Sequence, residues 1–153
     1  MKRSELMKIV TSINAAAKVA MPWKINYAMQ RTLAKLEPEH RAITKTIDAA
    51  SMAINDRMAN VRKEYADQVK DKDGNDIPLV KEGKYITTIR ESELSAKLSD
   101  LSKELTLENE KISEFLEEEI DVEIYKFSVS EEDEKKLENL SGSMLQGLLP
   151  LIN

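Results

Sequence analysis

Residues 71–82, DKDGNDIPLVKE, are the stretch of this 153-residue chain whose residue types and spacing most resemble a site for chemistry. A helix–loop–helix calcium loop carries oxygen ligands at positions one, three, five and twelve, which here are Asp71, Asp73, Asn75 and Glu82. Such a loop also needs glycine at position six, where this sequence has Asp76, and glycine stands at position four instead. Asp73-Gly74 is a two-residue turn signal. We therefore interpret the stretch as a turn and predict no metal site.

Two other sets of residues could take part in catalysis. His40 is the only histidine and has no second His or Cys near it in the sequence, so a metal would lack partners. We interpret it as a histidine whose ring is satisfied by a backbone carbonyl group. Residues 117–123, EEEIDVE, offer paired carboxylates, including Glu118 and Asp121, but an acid-rich solvated face has the same composition. The chain has no Cys, no phosphate-binding glycine loop and no nucleophile elbow, so we predict neither an enzyme nor a cofactor.

The elements that would position any site are dominated by one long apolar stripe in residues 23–68. Its members recur every three or four residues, with an average near 3.6, the period of an α-helix. A helix of about 45 residues would be roughly 65 Å long, so it needs other helices or other chains along its length. Pro38 lies inside the stripe without disturbing its phase, which predicts one kinked helix; two helices meeting near Glu37 are the alternative. The stripe consists of Ile25, Met29, Leu33, Leu36, His40, Ile43, Ile47, Ala50, Ile54, Met58, Val61 and Tyr65.

The rest of the chain predicts shorter elements around that helix. Three- and four-residue apolar spacing indicates further helices over residues 4–20 and 91–118, and Ser130 is a cap for a short acidic helix over residues 131–140. Residues 84–90 and 120–129 have the β-branched or alternating character of strands, and we expect them to pair in a small two-stranded antiparallel element. The prediction is a single domain over residues 1–153. Its class is mainly α with minor β, a long kinked helix in a helical bundle.

An apolar C-terminal tail, residues 143–153, ends the chain. It is either the last element of the core or a partner-binding segment that folds on docking, since Gly147 and Pro150 interrupt it. The second interpretation makes it the best candidate for a binding site. The partner-binding residues would be Met144, Leu145, Leu148, Leu149, Leu151 and Ile152.

Charge is distributed unevenly along the chain, which has a net charge of −5. Residues 1–45 hold nine Lys and Arg against three Asp and Glu, whereas residues 91–153 hold six against seventeen. Basic N-terminal helices could pack beside acidic C-terminal ones within one copy, or opposite patches could meet between copies. A nucleic-acid patch at the basic end is a third explanation, which the overall acidity and the lack of interleaved aromatic residues disfavour. We therefore expect no nucleic-acid partner.

Neither a membrane nor a secretory route is predicted. Nothing in the sequence approaches about 20 consecutive apolar residues, and the N-terminal stretch lacks the apolar run of a signal peptide. The absence of Cys fits a reducing cytosol.

The order of motifs resembles a family of uncharacterised short, mostly helical proteins encoded in bacteriophages and prophages. The motifs are Pro22 followed by INYAMQRTLAKLE, then VRKEYADQ, the DKDGN turn, and EEEIDVEIYKF before a leucine-rich end. The chain departs from that pattern at Pro38 and in its longer acidic region, residues 91–119. The resemblance implies a phage origin and carries over no functional residues.

These observations lead to one expected function and one alternative. We expect a non-enzymatic phage protein that acts through protein–protein contacts, as a virion- or tail-associated structural component or an assembly factor. Its partners would be further copies of itself or other phage proteins, in the host cell cytoplasm during infection or in the virion. The alternative is a small acidic inhibitor of a host defence or nucleic-acid-binding protein, with the acidic region mimicking nucleic acid.

Overall fold

The structure is a computed structural model that describes residues 1–153. It is mainly α with minor β, which confirms the predicted class. The helices are α1 (Arg3–Ala16), α2 (Trp23–Tyr65), α3 (Glu91–Glu117), α4 (Glu131–Leu137) and α5 (Gly142–Leu148), the last followed by a 3-10 turn at Leu149–Leu151. The strands are β1 (Gln68–Lys70), β2 (Asp76–Pro78), β3 (Val80–Lys81) and β4 (Lys84–Tyr85).

Two compact units share the chain. Unit 1 comprises Met1–Lys45 with Ser113–Asn153, and unit 2 comprises Thr46–Ile112. Helices α2 and α3 each contribute residues to both units without a break. The single domain expected over residues 1–153 stays a prediction.

Helix α2 continues through Pro38 as one helix, so the alternative of two helices meeting near Glu37 is wrong. Four members of its predicted apolar stripe are buried in unit 1, namely Ile25, Met29, Leu36 and Ile43. Helix α1 ends at Ala16, four residues earlier than expected, because Val19 N–H bonds to the Ala16 carbonyl in a tight turn ahead of Pro22. The buried apolar residues of unit 1 are Leu6, Ile9, Val10, Ile13, Ala16, Ile25, Ala28, Met29, Leu36, Ile43, Phe127, Leu137, Leu140, Leu148 and Leu151.

The expected pairing of strands 84–90 and 120–129 is wrong. Only Lys84–Tyr85 of the first segment is a strand, and it pairs with Val80–Lys81 in a local hairpin. The second segment forms no regular strand because its backbone groups bond to two different parts of the chain, the N-terminus and the C-terminus. Ile120 N–H bonds to the Met1 carbonyl at 2.8 Å, and Phe127 N–H bonds to the Leu151 carbonyl at 2.8 Å. We call residues 118–130 the connector; both ends of the chain are paired to it.

Unit 2 consists of the second part of α2, most of α3 and the two β-hairpins between them in the chain. Arg57 of α2 pairs with Glu104 of α3 at 2.5 Å, and further along α2 Tyr65 lies under the Arg90 guanidinium at 4.0 Å. The residue further along α2 therefore contacts the residue earlier in the segment 90–117, so the two helices are antiparallel here. The β-hairpins, β1–β2 and β3–β4, lie between them in sequence.

Candidate functional site

A cluster of exposed aromatic and arginine side chains lies at the start of α2. Trp23, Tyr27 and Arg31 are spaced by four residues, so they follow one another along one face of the helix. Tyr125 of the connector meets them: its ring is 6.4 Å from that of Tyr27 in an edge-to-face arrangement. We call these four residues the aromatic face. The exposed fractions are 74% for Trp23, 52% for Tyr27 and 39% for Tyr125.

Arg31 joins the two tyrosines of the aromatic face. Its guanidinium carbon lies 6.0 Å from the centre of the Tyr27 ring and 5.7 Å from that of Tyr125, within the range of cation–π attraction. An Arg31 N–H also donates to the Tyr27 hydroxyl at 3.4 Å. Trp23 has a lysine beside it, with the Lys24 ammonium 5.8 Å from the indole ring. The face therefore combines flat apolar surface with positive charge.

A buried threonine fixes the connector against α2 and so places Tyr125. The Thr32 hydroxyl is fully buried, donates to the Tyr125 carbonyl and accepts from the Tyr125 N–H, each at 3.3 Å. One turn further along, the Lys35 ammonium pairs with Glu123 at 3.1 Å. The backbone at Tyr125 is thus held beside α2 before any partner binds, whereas the Trp23 side chain projects further into solvent.

The charge asymmetry of the sequence is partly resolved within unit 1. Lys2 pairs with Glu117 at 2.7 Å, Arg3 pairs with Glu118, and Lys35 pairs with Glu123. Basic N-terminal residues therefore do meet acidic C-terminal ones inside one copy, the first of the three explanations above. The hydrogen bond from Lys2 and its charge lower the pKa of Glu117 below its usual value.

Two cations at the aromatic face, Lys24 and Arg31, form no ion pair in the structure. Two exposed carboxylates of α4, Glu131 and Glu134, likewise form none. The residues between positions 17 and 36 include four Lys and Arg and no Asp or Glu. The structure therefore leaves Lys24 and Arg31 at a basic, aromatic surface, and Glu131 and Glu134 at an acidic one, without intramolecular ion pairs.

Residues 71–75 form the turn between β1 and β2. The Asp71 carboxylate accepts the backbone N–H groups of Asp73 and Asn75, both at 2.8 Å, and the Asn75 side-chain amide at 3.2 Å. These bonds, that from the Asn75 N–H first, lower the pKa of Asp71. The turn therefore uses the carboxylate that would be the first calcium ligand.

The other three residues at calcium-ligand positions do not direct oxygen atoms to a common point with Asp71. Asp73 is within the same turn, and Asn75 donates rather than accepts there. Glu82 lies in the separate β3–β4 turn beside Gly83, with positive backbone φ angles of 51° and 75°. No group of three or more His, Asp or Glu side chains in the structure could hold a metal ion.

The acids of residues 117–123 do not converge on a common point, because Glu117, Glu118 and Glu123 each pair with a different cation. His40 is half-buried within α2. Neither set forms a pair of opposed carboxylates or a nucleophile with an adjacent base. The prediction that the protein is not an enzyme stays a prediction.

The C-terminal tail folds onto α1 as α5 and the turn that follows it. Leu148 and Leu151 are fully buried, so in the folded chain no partner can reach them. Met144, Leu145 and Ile152 are half-buried, and Leu149 is the one member with a mostly exposed side chain. The structure thus places two of the six candidate residues in the core and leaves the others partly or mostly exposed, and the role of the tail in partner binding stays a prediction.

A groove of about 680 Å³ runs beside the contact between α1 and α5. Its lining mixes apolar Met7 and Ile9 with charged Glu5 and Lys8 and the amide of Gln146. The lining is neither mainly apolar nor of one charge, so it does not indicate which class of ligand the groove would bind.

Sequence reasoning missed the aromatic face. The four-residue spacing of Trp23, Tyr27 and Arg31 was a visible signal, but this spacing also fits a helix that buries its aromatic residues. Tyr125 could not be placed from sequence, because its contact with Thr32 joins residues 93 positions apart.

None of the protein-family models, curated proteins or solved structures compared with this chain matches it. None of its helices is both long and apolar enough to cross a membrane.

Proposed function

We propose that this protein is a non-enzymatic bacteriophage protein that works through protein–protein contacts, as a virion- or tail-associated component or an assembly factor. The phage origin rests on the resemblance of its motifs to short helical phage and prophage proteins. The mode of action rests on the aromatic face.

That face is the single observation that carries the proposal. Tryptophan, tyrosine and arginine are the residues most enriched among those that dominate binding energy at protein interfaces. Here all three types lie together on one surface, and the Thr32 bonds hold the backbone of Tyr125 against α2. A pre-organised surface loses less side-chain entropy on binding, which favours affinity. An isolated exposed aromatic residue would need no such explanation.

Affinity purification tests the proposal. The full-length chain, tagged at a terminus, is recovered from its own host cells during phage induction, and the mass of the native complex is measured. Copies of the chain or other phage proteins in the complex are the expected result. A monomer recovered without partners would contradict it.

The same experiment separates the acidic inhibitor from the structural component. Recovery of a host defence or nucleic-acid-binding protein in stoichiometric amount would favour the inhibitor. A matched bait carrying Trp23→Ala identifies which captured proteins depend on the aromatic face.

A further inference from the structure

We infer that the aromatic face binds the acidic run Glu131–Glu134 of a second copy, so that copies associate head to tail. Residues 131–134 read EEDE, and we call them the acidic run. This inference rests on the proposed function and names the partner of that same surface.

Charge complementarity is the first reason. Lys24 and Arg31 lie at the aromatic face without an ion pair, and Glu131 and Glu134 are exposed in α4 without one. Within residues 117–123, by contrast, Glu117, Glu118 and Glu123 are already paired with cations of the same copy, and the unpaired Glu119 and Asp121 are not adjacent. Residues 131–134 are also the longest run of consecutive acidic residues in the chain, and we therefore take them as the segment that meets the basic surface.

The size of the aromatic surface is the second reason. Buried aromatic side chains cover about 150–250 Å² each. At their observed exposure, Trp23, Tyr27 and Tyr125 present on the order of 300–400 Å² together. That is close to half of the ~800 Å² that each partner buries in a standard interface. The surface is large enough to be the centre of one contact and needs a surrounding polar rim, to which Lys24 and Arg31 can contribute.

The geometry of such a contact has a structural consequence. The two surfaces are different parts of unit 1, so each copy offers one donor surface and one acceptor surface. A contact of this kind is heterologous, and repeated it gives a ring when the rotation closes and a filament when it does not. This is how a short chain would build a repeating phage structure.

The experiment measures association of the purified full chain. Trp23 is the only tryptophan, so its fluorescence reports on the face directly. Light scattering should show a mass that rises with concentration, with a parallel blue shift of the emission. Arg31→Glu, or the double change Glu131→Lys with Glu134→Lys, should weaken association at least ~10-fold. Charge reversals elsewhere in unit 1, Lys45→Glu and Glu114→Lys, should leave it within about twofold.

Mixing two defective variants gives the sharpest result. Trp23→Ala retains the acidic run, and the Glu131→Lys, Glu134→Lys variant retains the aromatic face. Together they should form a one-to-one dimer and nothing larger, at a concentration at which neither variant associates alone. Because all the altered side chains are exposed, circular dichroism should show that both variants keep their helical content.

Three outcomes would overturn the inference. Normal association of the acidic-run variant would mean that the face binds its own counterpart. A monomer at every concentration, with unshifted emission, would mean that copies do not bind one another here. Quenching of Trp23 by short single-stranded DNA, in a chain that stays monomeric, would assign the face to nucleic acid. Capture of other phage proteins by such a monomer would leave the proposed function standing and reject only this contact.

Discussion

At Gly147 the absence of a side chain sets how closely α5 approaches α1. A β-carbon at this position would lie 1.8 Å from the Ser12 hydroxyl oxygen and 2.4 Å from the Ser12 β-carbon, well inside contact distance. The Lys8 carbonyl oxygen would be 3.3 Å away. The backbone of α5 at Gly147 therefore packs directly against the Ser12 side chain of α1, and the fold of the C-terminal tail depends on this contact.

Gly147→Ala should accordingly lower the free energy of unfolding by about 1–3 kcal/mol, the usual cost of overpacking a closed contact. The gain in helix propensity from Gly to Ala, at most about 1 kcal/mol, offsets part of this loss. Urea denaturation followed by circular dichroism measures the difference.

Gly142 provides the matched control for that change, since it lies in the same helix and has nothing within 4 Å of its β-carbon position. Gly142→Ala should leave stability unchanged or slightly raised. Adding Ser12→Gly to Gly147→Ala removes both clashing atoms and should narrow the gap. Equal stability of the two alanine variants would show that α5 does not rest on Ser12.

At the scale of elements, α3 shows how a long amphipathic helix divides its leucines between packing and solvent. Leu101 has 5% of its surface exposed, whereas Leu107, less than two turns away, has 57% exposed. Both belong to unit 2, in which Ile54 of α2 is also buried. The antiparallel pair of helices therefore has a narrow apolar core, and few residues stabilise it.

Leu101→Ala should cost about 2–5 kcal/mol of unfolding free energy because it leaves a cavity in that core. Leu107→Ala changes the same residue type in the same helix and should stay within about 0.5 kcal/mol of the unaltered chain. Thermal unfolding of the two variants measures the contrast. Similar losses for both would contradict the burial of Leu101 in unit 2.

The elements also show which structural features a sequence can indicate. The course of α2 was predictable because its stripe repeats with one period over eleven steps, even across Pro38. The connector was not, because its alternating pattern is typical of a strand although its actual partners are Met1, Leu151 and Thr32. Pairings between residues so far apart leave no local signal in the sequence.

The same distinction holds for the candidate site. Trp23, Tyr27 and Arg31 share a helix face that the sequence could have revealed. The tyrosine pair, and the lack of ion pairs at Lys24 and Arg31, follow only from the folded arrangement. Charges counted along the sequence overestimate the number of free acidic side chains, because three acids of residues 117–123 form ion pairs with basic residues among the first 35 of the chain.

At the scale of the whole molecule, both units depend on ionised carboxylates. In unit 2 the Asp67 carboxylate accepts the Thr88 hydroxyl at 2.5 Å and its N–H at 3.0 Å, and these bonds lower the pKa of Asp67. The hydrogen bond from Arg57 lowers the pKa of Glu104. In unit 1, Glu117 is shifted in the same direction by Lys2.

Lowered pKa values of folded-state carboxyls fix the sign of the pH dependence. Above the unfolded-state values, ordinarily 3.8 for Asp and 4.5 for Glu, these groups are ionised in both states and their stabilisation is fully present. As the pH falls below those values, the carboxyl groups of the unfolded chain take up protons before those of the folded chain. The stabilisation therefore declines as the pH falls, until the pH is below the lowered pKa of the folded state. The free energy of unfolding should therefore be level from pH 7 to about 5 and should fall from there toward pH 3.

Urea titrations at closely spaced pH values measure this decline, and Asp67→Asn combined with Glu117→Gln should make it shallower while lowering stability at pH 7. Glu138→Gln is the matched control, because Glu138 forms no side-chain hydrogen bond or ion pair. It should leave both the level at pH 7 and the slope unchanged. A free energy of unfolding that rises between pH 5 and pH 3 would contradict the prediction, since it would require carboxylates that are more stable protonated in the folded chain than in the unfolded one.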